Sequence, residues 1–226
     1  MPIYNAPILA IDAAEARRYA GLLKAKDFGE KNIRDACDEA LLLLNVRGSW
    51  EIYPYDCENC TVLSQNPVKI VGNSICRHLD GCERVICMAA TVGFDIEQEI
   101  TKKFERGEYL ASILLDAAAT AAVEQVADAM EKNFSAQFAK NGFKLRWRFS
   151  PGYGDWNLTE QAKLFTICGA EQIGLRLTSA MMLEPRKSIT AIIGLERFSA
   201  QKSAFSAKKS CKTCNKLDCS MRFSQC

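Results

Sequence analysis

Arg148-Phe149-Ser150-Pro151-Gly152-Tyr153-Gly154-Asp155-Trp156 joins three kinds of local structure within nine residues. The run entering it alternates as a strand does, with Leu145, Trp147 and Phe149 on one side and Arg146 and Arg148 on the other. Pro151-Gly152 then calls for a turn, because proline fixes φ and glycine admits φ > 0. Asn157-Leu158-Thr159-Glu160 reads as a helix start, with Asn157 as N-cap and Glu160 at the capping-box position. Strand, glycine loop and helix N-terminus therefore meet here, with Arg148 at the strand exit. Such a junction leaves backbone N–H groups free beside a fixed cation, which suits a small anionic or zwitterionic ligand. It is also ordinary connecting architecture, and the pattern alone does not separate the two.

Outward from this loop, apolar spacing predicts helices over 11–23, 31–46, 94–106, 108–134 and 158–173. Asp12 is the expected cap of the first, and Gly48 the expected end of the second. Asn73 or Ser74 can cap a brief helix reaching Leu79. Residues 51–55, 60–63, 67–71, 175–178 and 188–195 read as strands, and Val85 to Val92 as one buried on both faces. There are no repeats and no Rossmann glycine fingerprint. The expected class is α+β: an antiparallel or mixed twisted sheet packed with helices around a long, alanine-rich central helix. Residues 1–195 are read as the folded domain, with 1–92 a candidate N-terminal lobe, 196–210 a polar, basic linker and 211–226 a cysteine-rich tail.

On the central helix, Asp116, Thr120 and Glu124 stand at i, i+4 and i+8 and form one polar strip. A solvated helix face carries such strips as a matter of course. Alanine on both flanks points instead to a buried helix, where carboxylates need a partner.

The 226 residues carry a net charge of only +2, which gives no reason to expect a nucleic-acid partner or a membrane-surface one. No apolar run approaches the length of a bilayer span, and Ala40 to Val46, broken only by Asn45, reads as a helix core. The start, Met1-Pro2-Ile3-Tyr4, lacks the basic and apolar regions of a secretory signal, so the expected location is cytoplasmic. Eleven cysteines is an odd number, and in that compartment a disulfide framework is not expected; many should be buried as small hydrophobes. Cys211-x2-Cys214-x4-Cys219 and Cys226 have metal-ligand spacing, which fits zinc, an iron–sulfur cluster or simply a tail of free thiols. Cys57-x2-Cys60 is a weaker signal that can complete a metal site. The single histidine, His78, has no nucleophile partner identifiable in sequence, which argues against hydrolytic catalysis.

Arg148-x-x-Pro151-Gly152-Tyr153, followed by Leu177-Thr178, Met182, Pro185 and Ser188 to Gly194, resembles the reactivation domain of cobalamin-dependent methionine synthase. The likeness runs from about 110 to 194, is weaker before that, and does not reach the last thirty or so residues. It implies that Arg148 and Tyr153 hold S-adenosylmethionine: Arg148 on the carboxylate, Pro151-Gly152 presenting backbone to the adenine edge, and Tyr153 packing on the ligand. It implies a ligand-facing role for the acidic residues Asp116 and Glu124. Thr120 departs from the family pattern, standing where relatives have a glutamate that touches the ligand. No Asp-x-His-x-x-Gly cobalamin signature is present, so the implied partner is a methionine synthase core, or another corrinoid protein, that carries the cobalamin, with an electron donor such as flavodoxin. Two alternatives stay open: a redox activator of another corrinoid methyltransferase acting through the tail, and a docking protein that keeps the fold without the ligand.

Overall fold

The computed structural model describes residues 1–25 and 27–198. The cysteine tail and most of the expected linker lie outside the described residues, and with them the metal-ligand reading of Cys211, Cys214, Cys219 and Cys226.

The chain runs β1 (Ile3–Tyr4), α1 (Ala13–Tyr19), α2 (Glu30–Leu43), β2 (Arg47–Asp56), β3 (Thr61–Val62), β4 (Val68–Lys69), α3 (Asn73–His78), β5 (Cys82–Thr91), α4 (Asp95–Glu105), α5 (Tyr109–Ala139) and β6 (Phe143–Leu145). After a 3-10 turn at Leu158–Glu160 come α6 (Gln161–Ile167), a second 3-10 turn, β7 (Arg176–Leu177), β8 (Leu183–Glu184) and β9 (Ser188–Arg197). The main sheet is antiparallel, in the order β4-β3-β2-β5-β9-β6, with β1 added alongside β2. β7 and β8 form a separate hairpin.

β5 is the centre of this arrangement, because its two faces feed two cores. Ile86, Met88, Ala90 and Val92 point into a layer built by α1, α2, α4 and α5. Val85, Cys87 and Ala89 point the other way, towards α3, α6 and the loop 147–156. An apolar run without alternation is what burial on both faces requires. Helix α5 is apolar nearly all round for a similar reason: α1, α2 and α4 pack on it from outside and β5, β6 and β9 from beneath. By length and composition it can cross a membrane, which the count of uninterrupted apolar runs missed, and 61% of its apolar window is buried inside the fold.

Several expectations change. α2 stops at Leu43, and Gly48 lies within β2. Its role is close packing: a Cβ there would stand 2.6 Å from Met130 Sδ and 3.2 Å from the Ala89 carbonyl. α1 is shorter than predicted, although Asp12 does cap it, accepting from the Ala14 and Glu15 amides. α3 is capped neither by Asn73 nor by Ser74. Asp155, from the distant loop, accepts both their amide protons at 2.8 Å. The expected absence of disulfides is corrected at one pair: Cys60 and Cys76 are joined, with Cα atoms 5.7 Å apart, because α3 packs beside the β3 turn. Cys37, Cys82, Cys87 and Cys168 are buried free thiols, as small apolar residues would be.

Candidate functional site

The strand entering the loop does not alternate through to Phe149. Leu145 pairs with Leu195 and Phe149 with Ile192, so four steps on one strand face three on β9. The extra residue is a bulge at Arg146-Trp147. Leu145 packs on the helix-side core, whereas Trp147 and Phe149 belong to the opposite one. Arg146 also lies on that opposite side, with its Cγ 3.2 Å from where a Gly194 Cβ would be, and its guanidinium reaches Glu196 at 3.0 Å. The predicted single apolar side is therefore wrong, and the bulge re-aims Arg148 at α5.

There the guanidinium meets three carboxylates: Glu124 at 2.7 Å, Glu131 at 2.8 Å, and Asp128. Burial works against its charge, but hydrogen bonds and attraction from Asp128 and Glu124 prevail and hold it protonated well above the usual guanidinium range. Its side chain is only 10% exposed. Arg148 is thus already engaged, and it organises an acidic cluster more than it offers a free cation.

Beyond the bulge, the loop is built as its composition requires. Gly152 has φ +91° and its amide donates to the Trp156 carbonyl at 2.8 Å. Gly154 presses on Ser74, where a Cβ would stand 3.1 Å away, and Asp155 caps α3. His78 supports the loop from below: its Nε2 lies 2.8 Å from the Trp147 carbonyl, and its ring packs on Trp147 and Phe149. A carbonyl only accepts, so Nε2 carries the proton. Burial keeps this histidine below the ordinary imidazole range, with Arg146 adding to the effect and the Trp147 bond opposing it. Asn157 caps the following turn through the Thr159 amide, as expected, while the Glu160 carboxylate pairs with Lys163 at 2.9 Å and takes no part in a capping box.

These elements enclose a cleft of about 690 Å³. Of the sequence-derived candidates it brings together Arg148, Pro151, Tyr153 and Glu124; Gly152, Asp116 and Thr120 do not line it. Gly152 makes the turn. Asp116 and Thr120 are held by Lys187, whose Nζ lies 2.8 Å from the Asp116 carboxylate and donates to Thr120 Oγ1 at 2.9 Å.

Sequence reading missed several lining residues, among them Trp147, Met181, Met182, Arg186 and Thr190. Arg186 is an accessible cation, with 62% of its side chain exposed and one ion pair among the described residues, 3.4 Å to Glu97. Thr190 is buried, and among the described residues neither its Oγ1 nor the buried Trp147 Nε1 has a hydrogen-bond partner. A signal for the Arg148 cluster did exist: Glu124, Asp128 and Glu131 recur at i, i+4 and i+7, one helical face.

No protein-family model and no curated protein matches the sequence. The fold does match a solved one, the crystal structure of the MetH reactivation domain bound to AdoHcy. The TM-score is 0.58 over 94% of this chain and 83% of that chain, at 15% sequence identity. The mixed fold described above, an antiparallel sheet packed against helices with one long central helix, is that domain's fold.

Proposed function

We propose, from that shared fold, that this chain binds S-adenosylmethionine in the cleft beside Arg148 and serves as the reactivation component of a cobalamin-dependent methionine synthase. The reaction is reductive methylation of cob(II)alamin carried by a partner, with one electron from a flavodoxin-like or iron–sulfur donor. The observation that carries this reading is a coincidence: a fold matched to an AdoHcy-bound domain has Arg148, Pro151 and Tyr153 of its central loop and Glu124 of its long helix on one cleft. At about 690 Å³ the cleft is of small-molecule size.

The chain's own part is binding and orientation. Glu124 lines the cleft and attracts the ammonium or sulfonium of the ligand. Arg148 holds Glu124 in place, and Arg186, whose fork is open, takes the ligand carboxylate. Tyr153, exposed at the rim and edge-on to Phe149, supplies a ring for packing. Pro151 presents backbone to the adenine edge.

Calorimetry with S-adenosylmethionine and 5′-methylthioadenosine, which lacks the amino-acid group, tests this. Arg186→Ala should weaken the first by roughly tenfold or more, the scale of a charged hydrogen bond, and leave the second unchanged. A cuvette holding the cob(II)alamin-loaded synthase core, a reductant and S-adenosylmethionine should form the methylated cofactor only when this protein is added. The saturation of Arg148 favours a second reading, a docking protein of the same fold that takes no ligand. Absence of binding to either nucleoside would select it.

A further inference from the structure

Arg186 also borders a second cleft, of about 550 Å³, that the proposed activity does not use. Its walls carry three chemistries. Arg47 and Arg176 supply guanidinium groups: Arg47 is steadied by Asn45 Oδ1 at 3.2 Å and lies against Gly174, where a Cβ would stand 3.8 Å from Nη1. Neither arginine has an ion pair among the described residues, and both are exposed. Beside them α4 begins at Asp95 without a side-chain cap.

Asp95, Glu97 and Glu184 supply negative charge to the same cleft. Glu97 is buried and occupied, accepting from the Lys187 amide at 3.2 Å and facing Arg186. Asp95 and Glu184 are exposed and make no ion pair among the described residues. The third chemistry is apolar: Phe94, half exposed, and Pro185.

Two open guanidinium groups would by themselves suit a simple anion. Two open carboxylates in the same walls disfavour a polyanion and complement a positive charge, while the apolar surface gives a side chain somewhere to rest. We infer that this cleft binds a zwitterionic α-amino acid with an apolar side chain, its carboxylate on Arg47 and Arg176 and its ammonium towards Asp95 and Glu184. This does not depend on S-adenosylmethionine binding, since none of these four residues lines the first cleft.

The test is calorimetric titration of the full chain with L-leucine, L-methionine, isovalerate, isoamylamine and inorganic phosphate. The two amino acids should bind saturably, and more tightly than isovalerate, isoamylamine or phosphate. Arg47→Ala and Arg176→Ala, checked for folding by circular dichroism, should each weaken the amino acids roughly tenfold or more. Glu184→Gln should weaken leucine and isoamylamine but not isovalerate. No saturable amino-acid binding at millimolar concentration, phosphate or isovalerate binding as well as leucine, or affinities indifferent to both arginine variants would each overturn the inference.

Discussion

Replacing Arg148 by methionine keeps most of the side-chain volume and removes only the charge at the centre of the α5 cluster. Glu124, Asp128 and Glu131 would then lose the cation they share. Removing one partner of a fully buried ion pair costs about 3–5 kcal/mol. Arg148 is buried, but the three carboxylates are 38%, 49% and 23% exposed and water screens them, so the lower end applies. The expected loss is about 3 kcal/mol at pH 7, a fall in Tm of roughly 6–12 °C for a domain of this size. The arginine's folded pKa is raised, so its contribution is fully present below the unfolded guanidinium value and is lost only as pH climbs through the folded one. Across the neutral range it is constant. Urea unfolding of both proteins from pH 5 to 8 measures this, and adding Glu124→Gln, Asp128→Asn and Glu131→Gln together should restore most of the loss. A variant within about 0.5 kcal/mol of the parent at pH 7, the scatter typical of surface substitutions, would refute the reasoning.

Gly48→Ala should cost about 1–3 kcal/mol, because Met130 is fully buried and cannot swing away from the new methyl; calorimetric scanning would register it, and an unchanged Tm would count against the close packing. His78 is held below its unfolded value, so the unfolded chain binds the proton first and stability should decline as pH drops below about 6.5. His78→Gln should flatten that slope in urea titrations at pH 5–7.5, and an identical slope would remove His78 as its source. Asp155→Ala strips both acceptors from the first turn of α3, so hydrogen exchange at the Asn73 and Ser74 amides should accelerate. The Asp155 carboxyl is held below its usual range chiefly by the Ser74 amide, so this support is present above the unfolded value, about 3.9, and fades as pH falls through the folded one.

Reading from sequence worked best where one local force dominates. The two-faced apolarity of β5 and the alanine content of α5 announce their burial, and proline, glycine and asparagine announce the loop and its cap. The bulge at Arg146-Trp147 left no such mark, since neither residue is a turn former and the extra position exists only relative to β9. Arg148 was singled out in sequence, but its state depends on partners 17 to 24 residues away that only packing brings together. Lys187 was invisible for the same reason: it reaches Asp116 and Thr120 across 67 or more positions.

β9 lies between β5 and β6, although roughly 100 residues separate it from the end of β5. On a ribosome adding ~5–20 residues per second, the inner edge of β5 waits on the order of 5–20 s for its neighbour. Throughout that interval a long, strongly apolar strand has one open flank, the form of nascent chain most prone to pairing with another copy. Stop codons placed before residue 188 should therefore yield aggregates, and holdase chaperones should matter more to this protein's yield than to that of a helical bundle of equal length.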